Sequence, residues 1–321
     1  MPQSTKSETA VISLAAVRSP RRGVTEYLFF ERQQIFTLPT TRARGAETAT
    51  LMRRALSEKA PVKAVLDPRR GVILRVDTPT PDEIETFKRG KIPTDVRGTT
   101  KTIDLARIDP TTFNVVDLQL KAPIFRLCKR TIPNYKTAKK IFDFCAKQGC
   151  YLGGPFDISP CIPFQYVIDG CYARAHKMRK IITTKYRYCC EKVFSFANQG
   201  NDTLAVKADK WGGCCVRWWY HVAPLVRVRF RIRGCPKINL VLAMVIDPSM
   251  FDKPVLLSTW LSAQEHAPCA EPGRVANVSQ YSIQPGSAYS PAYPPTSFST
   301  DPNYTATQST LINYSGLTTC P

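Results

Sequence analysis

Histidine is scarce in this chain, with three in 321 residues. Any step that needs an imidazole must use His176, His221 or His266. No apolar run approaches the roughly 20 residues that a helix needs to cross a bilayer, so no membrane partner is expected. The cysteines contain no C-x-x-C pair with a matching second pair, which removes the common zinc frameworks; neither a metal site nor a cofactor is expected. Acidic residues are outnumbered, 25 against 45 Lys and Arg, for a net charge of +20. The excess is scattered in doublets such as Arg21-Arg22, Arg53-Arg54 and Arg69-Arg70, without a basic tail or an RNA-binding signature. Nucleic acid is therefore not an expected partner, whereas acidic protein surfaces are attracted in a general way. There is no internal repeat.

Cysteine, by contrast, is abundant. Twelve in one chain, without zinc spacing, point to disulfides and an oxidising destination, so secretion or another form of export is expected. Residues 10–17 (AVISLAAV) are a poor leader core, because Glu8 precedes them and Arg18, Arg21 and Arg22 follow closely. A reduced catalytic cysteine would leave an odd number, so at least one further thiol must be free or pair with another chain. Spacing does not fix the connectivity.

The 43% hydrophobic content is that of a globular protein long enough for two domains. Residues 26–38 read as strand, 46–59 as helix and 61–76 as two strands about a turn at Asp67 to Gly71, which together make a small α/β unit. Thr80 caps another helix with Pro81 at its first position. From Gly90 to about Lys129 apolar periodicity fails and turn formers recur, as in a linker. Helical periodicity resumes at Pro133. Beyond Arg274 the chain is polar and rich in Tyr, Ser and Pro, and irregular structure wrapped on the core, with Cys320 as an anchor, is expected.

The segment from Val167 to Met178 passes from an apolar strand through Asp169-Gly170 into a helix opened by Cys171. Unpaired N–H groups and the helix dipole at that end favour a nucleophilic thiolate. In a cysteine-rich chain the plain alternative is a disulfide partner. Of the histidines, His176 lies among Arg174, Lys177 and Arg179 and is expected to face solvent, and His266 falls in a polar loop. His221 begins an apolar strand and is the candidate base. Residues 225–233 alternate strictly, with arginines on one face expected to be solvated. Residues 238–246 return as a second strand, and a turn centred on Gly234 brings His221 opposite Asp247, which can orient the imidazole.

At these residues the chain resembles the bacterial protein-glutaminases, through DGCYARAHKM around Cys171, CCVRWWYHVA around His221 and IDPSMF around Asp247. Upstream, MRRALSEKAPVKAVLDP and TPTPDEIETFK resemble that family's pro-region, which covers the active site until proteolysis. The resemblance implies an α+β fold, with a papain- and transglutaminase-like cysteine amidohydrolase core at 131–321 behind a small inhibitory α/β pro-domain at 1–90. A linker at 91–130 would hold the processing site, with Arg126, Lys129 or Arg130 as candidates. It further implies a monomer that converts protein-bound glutamine to glutamate with release of ammonia. Cys171, His221 and Asp247 would be catalytic, with the Cys171 N–H as oxyanion donor and Gln165 as a possible second. Partners would be glutamine-bearing proteins and the chain's own pro-domain. The competing readings are a papain-like protease, a transglutaminase-type acyltransferase, or a disulfide-stapled binding module without activity.

Overall fold

The computed structural model describes residues 7–21, 23–38, 45–89, 99–102, 128–197, 200, 202–231, 239–292 and 297–320. The N-terminal part runs β1 (Glu8–Arg21), β2 (Val24–Phe29), β3 (Phe36–Thr37), α1 (Gly45–Glu58), β4 (Pro61–Asp67), β5 (Val72–Asp77) and α2 (Pro81–Arg89). The five strands close into a barrel in the order β1-β2-β3-β5-β4 around Ile12, Phe29, Phe36, Val62, Leu66 and Ile73, and α1 adds Met52 to that core. The apolar run at 10–17 is therefore a barrel strand. Thr80 and Glu83 form a reciprocal capping box at α2, each side chain accepting from the other's backbone N–H. Within the expected strand at 26–38, residues 30–35 leave the ladder. Phe30 still donates its N–H to Ser13 O of β1 at 3.0 Å, but beyond it the backbone is engaged outside the barrel, where Trp219 Nε1 donates to Arg32 O at 2.7 Å and Gln34 bridges to Trp218.

One piece of the expected linker, β6 (Thr99–Thr102), is an edge strand. Next come α3 (Tyr135–Ala146), α4 (Cys171–Thr184), β7 (Glu191–Phe196), β8 (Asp202–Lys207), β9 (Cys215–Trp218), β10 (Tyr220–Arg231), β11 (Asn239–Val245), β12 (Val255–Leu256) and α5 (Leu257–Ser262). β13 (Val275–Ala276), β14 (Gln280–Gln284), β15 (Ala288–Ala292), β16 (Ser297–Thr300) and α6 (Thr305–Tyr314) complete the described chain. A six-stranded sheet, ordered β12-β11-β10-β7-β14-β6, has α4 packed on β10. Helices and sheets are thus mixed in an α+β arrangement, and the polar tail is more regular than expected. Three of its tyrosines are buried: Tyr281, Tyr289 and Tyr314 are each under 10% exposed and supply the apolar surface that the composition hides.

The strict alternation of β10 does not give a solvated arginine face throughout. Arg229 is exposed, but Arg227 is 6% exposed and pairs with Glu191 at 2.7 Å, because β7 covers that end of the strand. Four disulfides occur among the described residues: Cys128–Cys189, Cys150–Cys161, Cys214–Cys320 and Cys215–Cys269. Cys320 is thus the anchor of the tail. Cys145, Cys171 and Cys190 are free and buried, and Cys235 lies outside the described residues.

Candidate active site

Cys171 opens α4 after Gly170, whose φ of 82° is natural for glycine. A Cβ there would come 2.8 Å from Tyr314 Cδ2, so packing excludes a side chain as well. The first N–H groups of a helix lack intrahelical acceptors. That of Cys171 donates to the side-chain carbonyl of Gln33, Oε1, at 2.9 Å.

Gln33 comes from the turn between β2 and β3 and is 0% exposed. Its Nε2 donates to Val167 O at 3.1 Å, and its backbone N–H donates to Asp169 Oδ1 at 3.1 Å. Its carbonyl accepts from the Trp219 N–H at 3.3 Å. All four polar groups of the residue are engaged by the segments that carry Cys171 and His221. Next to it, Arg32 Nη1 donates to Tyr172 Oη at 2.5 Å, and Arg32 Nε lies 3.6 Å from Asp169 Oδ2.

His221 sits on β10, 1% exposed. Its Nε2 is 2.9 Å from Asp247 Oδ2. The imidazole lies between two indoles, stacked on Trp218 at 4.5 Å and Trp260 at 5.3 Å between centroids. Trp260 Nε1 also donates to Asp247 Oδ2 at 3.0 Å, while Asp247 Oδ1 accepts from the Ser249 N–H at 3.2 Å and from the Ser249 hydroxyl. Burial pushes the Asp247 carboxyl up, but hydrogen bonds from His221, Ser249 and Trp260 outweigh it and hold the group at about 2. Burial lowers His221 despite Asp247, so a neutral ring donates through Nε2. The other nitrogen, Nδ1, is buried without a hydrogen-bond partner among the described residues, and in this tautomer it is a free acceptor.

The structure brings His221 and Asp247 together by a different route from the expected hairpin register. Leu225 pairs with Val245 and Arg231 with Asn239, so the hairpin centres on Cys235 rather than Gly234. Extended, that register sets His221 opposite Ser249. The ladder stops at Leu225 instead, and Asp247 begins a turn in which its carbonyl accepts from Met250 and Phe251 N–H. That turn swings the carboxylate back to the ring.

Three further expectations need correction. Gln165 does not offer a second oxyanion donor, because its Nε2 is committed to Ser315 O at 2.9 Å. His176 is 2% exposed rather than solvated. It accepts from Lys192 Nζ through Nδ1 at 2.8 Å and donates through Nε2 to Asp301 O at 3.1 Å, because the tail closes over α4. Cys171, 1% exposed, does not have a lowered pKa in this arrangement. Burial pushes the thiol up against the opposing effects of Arg174 and a hydrogen bond from the Val222 backbone. His266 is half-buried and lines a cavity with Val206, Asp209 and Met250 whose wall also includes Val167, Trp218 and Ser249 of this cluster.

Of the processing candidates, Arg126 lies outside the described residues. Lys129 and Arg130 are exposed, but Lys129 is fixed by backbone bonds to Arg187 and Cys189 beside the Cys128–Cys189 disulfide. Proteases bind extended, unpaired backbone, so this tether disfavours a cut at Lys129.

Sequence reasoning missed Gln33, Trp218 and Trp260. A signal for Gln33 was present: a glutamine in the segment expected to cover a glutamine-binding site.

A family model described as Glutaminase matches residues 138–264. Among solved structures, a crystal structure of pro-protein-glutaminase is similar at 27% sequence identity with a TM-score of 0.70, covering 98% of this chain and 95% of that one. A mutant of pro-protein-glutaminase gives 28% and 0.70, covering 98% and 96%. The NMR structure of protein-glutaminase from Chryseobacterium proteolyticum is 34% identical over 60% of this chain and 92% of that one, with a TM-score of 0.49. No curated protein matches the chain.

Proposed function

The chain belongs to the protein-glutaminase family, and from that premise we propose that it hydrolyses the γ-carboxamide of protein-bound glutamine through a Cys171 thioester and is latent in this form. The observation that carries the reading is the seating of Gln33. A glutamine carboxamide presented by a polypeptide backbone lies with its carbonyl on the Cys171 N–H and its NH2 on Val167 O. Such a pocket recognises both ends of a primary amide, which a peptide bond does not offer in the same form.

Cys171 Sγ attacks the amide Cδ after His221 Nδ1 takes the thiol proton, and the Cys171 N–H stabilises the oxyanion. His221 then returns the proton to the departing nitrogen, and ammonia leaves. Water, deprotonated by His221, hydrolyses the thioester to glutamate. Asp247 fixes the ring with Nδ1 as acceptor and stabilises the imidazolium. A cysteine on a helix N-terminus, a histidine on a sheet strand and an aspartate in the turn just beyond the next strand support the reading of a papain-like core.

Latency follows from occupancy. Residues 30–34 fill the site, and Phe30 packs edge-on against Trp219 at 6.2 Å, so residues 1–90 act as an inhibitory pro-domain. A tether through residues 91–130 keeps its effective concentration high, and cleavage in that stretch relieves inhibition. Export fits the four disulfides among the described residues.

The test is ammonia release from a glutamine-rich protein by the intact chain, by the chain cut between 91 and 130, and by a cut Cys171→Ser variant. The cut chain should release ammonia from an intact substrate while the other two do not. Substrate fragments would indicate a protease, and incorporation of an added amine a transglutaminase. A cut chain that matches Cys171→Ser in every assay refutes the nucleophile.

A further inference from the structure

Gln33 is more than a plug of suitable shape. Its backbone N–H is held by Asp169 and its carbonyl by the Trp219 N–H, so the main chain on both sides of the side chain is fixed. Its amide oxygen lies on the donor where an oxyanion would form, and its nitrogen is aimed at a carbonyl. An inhibitor needs none of this chemistry; an alanine or leucine would block the cleft without offering a scissile amide. His221, next in the chain to Val222 whose backbone bonds Cys171, leaves Nδ1 without a hydrogen-bond partner among the described residues.

We propose that Gln33 is a substrate in cis: the uncleaved chain deamidates its own Gln33 to glutamate, once per molecule. The inference rests on Cys171 being the nucleophile of the proposed function. Sγ bonds to Cδ of Gln33, the thiol proton passes to His221 Nδ1, and the carbonyl electrons collect on Oε1. As the carbonyl re-forms, the Cδ–Nε2 bond breaks, His221 supplies the proton, and ammonia departs from a Cys171–residue 33 thioester. Water then adds to Cδ and gives its proton to His221, and the C–S bond breaks to leave a carboxylic acid at position 33 and the thiol. The sum is one glutamine and one water consumed, one glutamate and one ammonia formed. Cys171 and His221 are each 1% exposed, so the second half, which needs water, is the slow half.

The product changes the fit. A carboxylate at position 33 has no N–H for Val167 O, sets a charged oxygen against that carbonyl where Nε2 lay, and adds an anion close to buried Asp169, which holds the Gln33 backbone. Self-deamidation therefore loosens residues 32–34 from the site and favours release of the pro-domain after the linker is cut.

The experiment is peptide mapping of the full, uncleaved chain by mass spectrometry, following residue 33 with time at several chain concentrations, for wild type and Cys171→Ser. Conversion to glutamate is expected in wild type, at a rate independent of concentration, with Cys171→Ser retaining the amide. The disulfide pattern of both chains, read in the same maps, checks that the variant has folded. Equal conversion in both chains, or a rate that rises with concentration, overturns the proposal. So does an unchanged Gln33 in wild type whose cut form deamidates an added protein, a result that leaves the proposed function standing. An unchanged Gln33 with a cut form that is also inactive removes both.

Discussion

The exchange Asp247→Asn shows how the surroundings of the carboxylate set the outcome. Every contact to Asp247 is a donor: His221 Nε2 and Trp260 Nε1 to Oδ2, and the Ser249 N–H and hydroxyl to Oδ1. Asparagine has one acceptor oxygen and must choose. If its NH2 faces His221, the ring is forced to carry its proton on Nδ1, and the same NH2 collides with the indole N–H, which can never accept. If its oxygen faces His221, the tautomer survives, and only the Ser249 N–H is left opposing a donor, since the hydroxyl can rotate to accept. Trp260 therefore selects the second orientation. What is then lost is the charge on the imidazolium's partner, about 3 kcal/mol, from replacing a charge-assisted bond by a neutral one and removing a close opposite charge. The expected fall in kcat/KM for the cut chain is on the order of 100-fold, smaller than the ~10⁴-fold of a wrong tautomer. Adding Trp260→Phe frees the first orientation and should carry the double variant toward the larger loss. Ammonia release from a glutamine-rich protein measures both. A single variant within about threefold of wild type, or one already as impaired as the double, refutes this account of the site.

Acid should destabilise the chain through His176. Burial first, then Lys192 and Arg179, push its pKa from the ordinary 6.5 to about 2. The folded state refuses a proton that the unfolded chain accepts below 6.5, so this stability is complete above that pH and declines as pH falls toward 2, by about 2 kcal/mol at pH 5. His176→Gln keeps an acceptor for Lys192 and a donor for Asp301 O; it should abolish that part of the difference between urea unfolding at pH 7 and pH 5, and an unchanged difference contradicts the buried neutral ring. Gly170→Ala combines a positive φ with the 2.8 Å approach to Tyr314 and should lower unfolding free energy by about 2–4 kcal/mol. Thermal or urea unfolding checks it, and a loss under about 0.5 kcal/mol would show that α6 yields easily.

Local signals carried the sequence a long way. The start of α4 at Cys171, the Thr80 cap of α2 and the paired strands β10 and β11 are all set by neighbours within a few residues, and each was legible. His176 was not, because its surroundings are assembled from afar. The cations beside it are hydrogen-bonded by protein rather than by water: Arg174 donates to Tyr166 O and Asp169 O, just ahead of α4, at 2.6 Å, and Arg179 donates to Tyr304 Oη of the tail at 3.0 Å. A run of charge that reads as a wet helix face is thereby buried. The barrel was hidden for a related reason, since closure depends on β3 meeting β5 across the length of α1. The tail illustrates the limit of composition: Tyr, Ser and Pro can be disordered or packed, and the disulfide from Cys214 to Cys320 decides for packing.

On the proposed assignment, burial keeps the Cys171 thiol protonated and slows its attack even on the Gln33 amide seated beside it. The factors that lower the Cys171 pKa are already present: the helix N-terminus, Arg174 and the Val222 N–H. Burial outweighs them, and part of that burial is supplied by Gln33 and its neighbours from the barrel. Removing the segment returns water to the thiol and diminishes burial, the largest of the effects that raise its pKa beside the charges of Asp169 and Asp247, while His221 and Asp247 stay fixed by Trp218, Trp260 and Ser249, none of which belongs to the barrel. Activation on this view needs no rearrangement of the catalytic groups. It needs a change of solvent around one sulfur, which on the proposed assignment separates a slow, single reaction with Gln33 in the uncut chain from turnover of added protein by the cut chain.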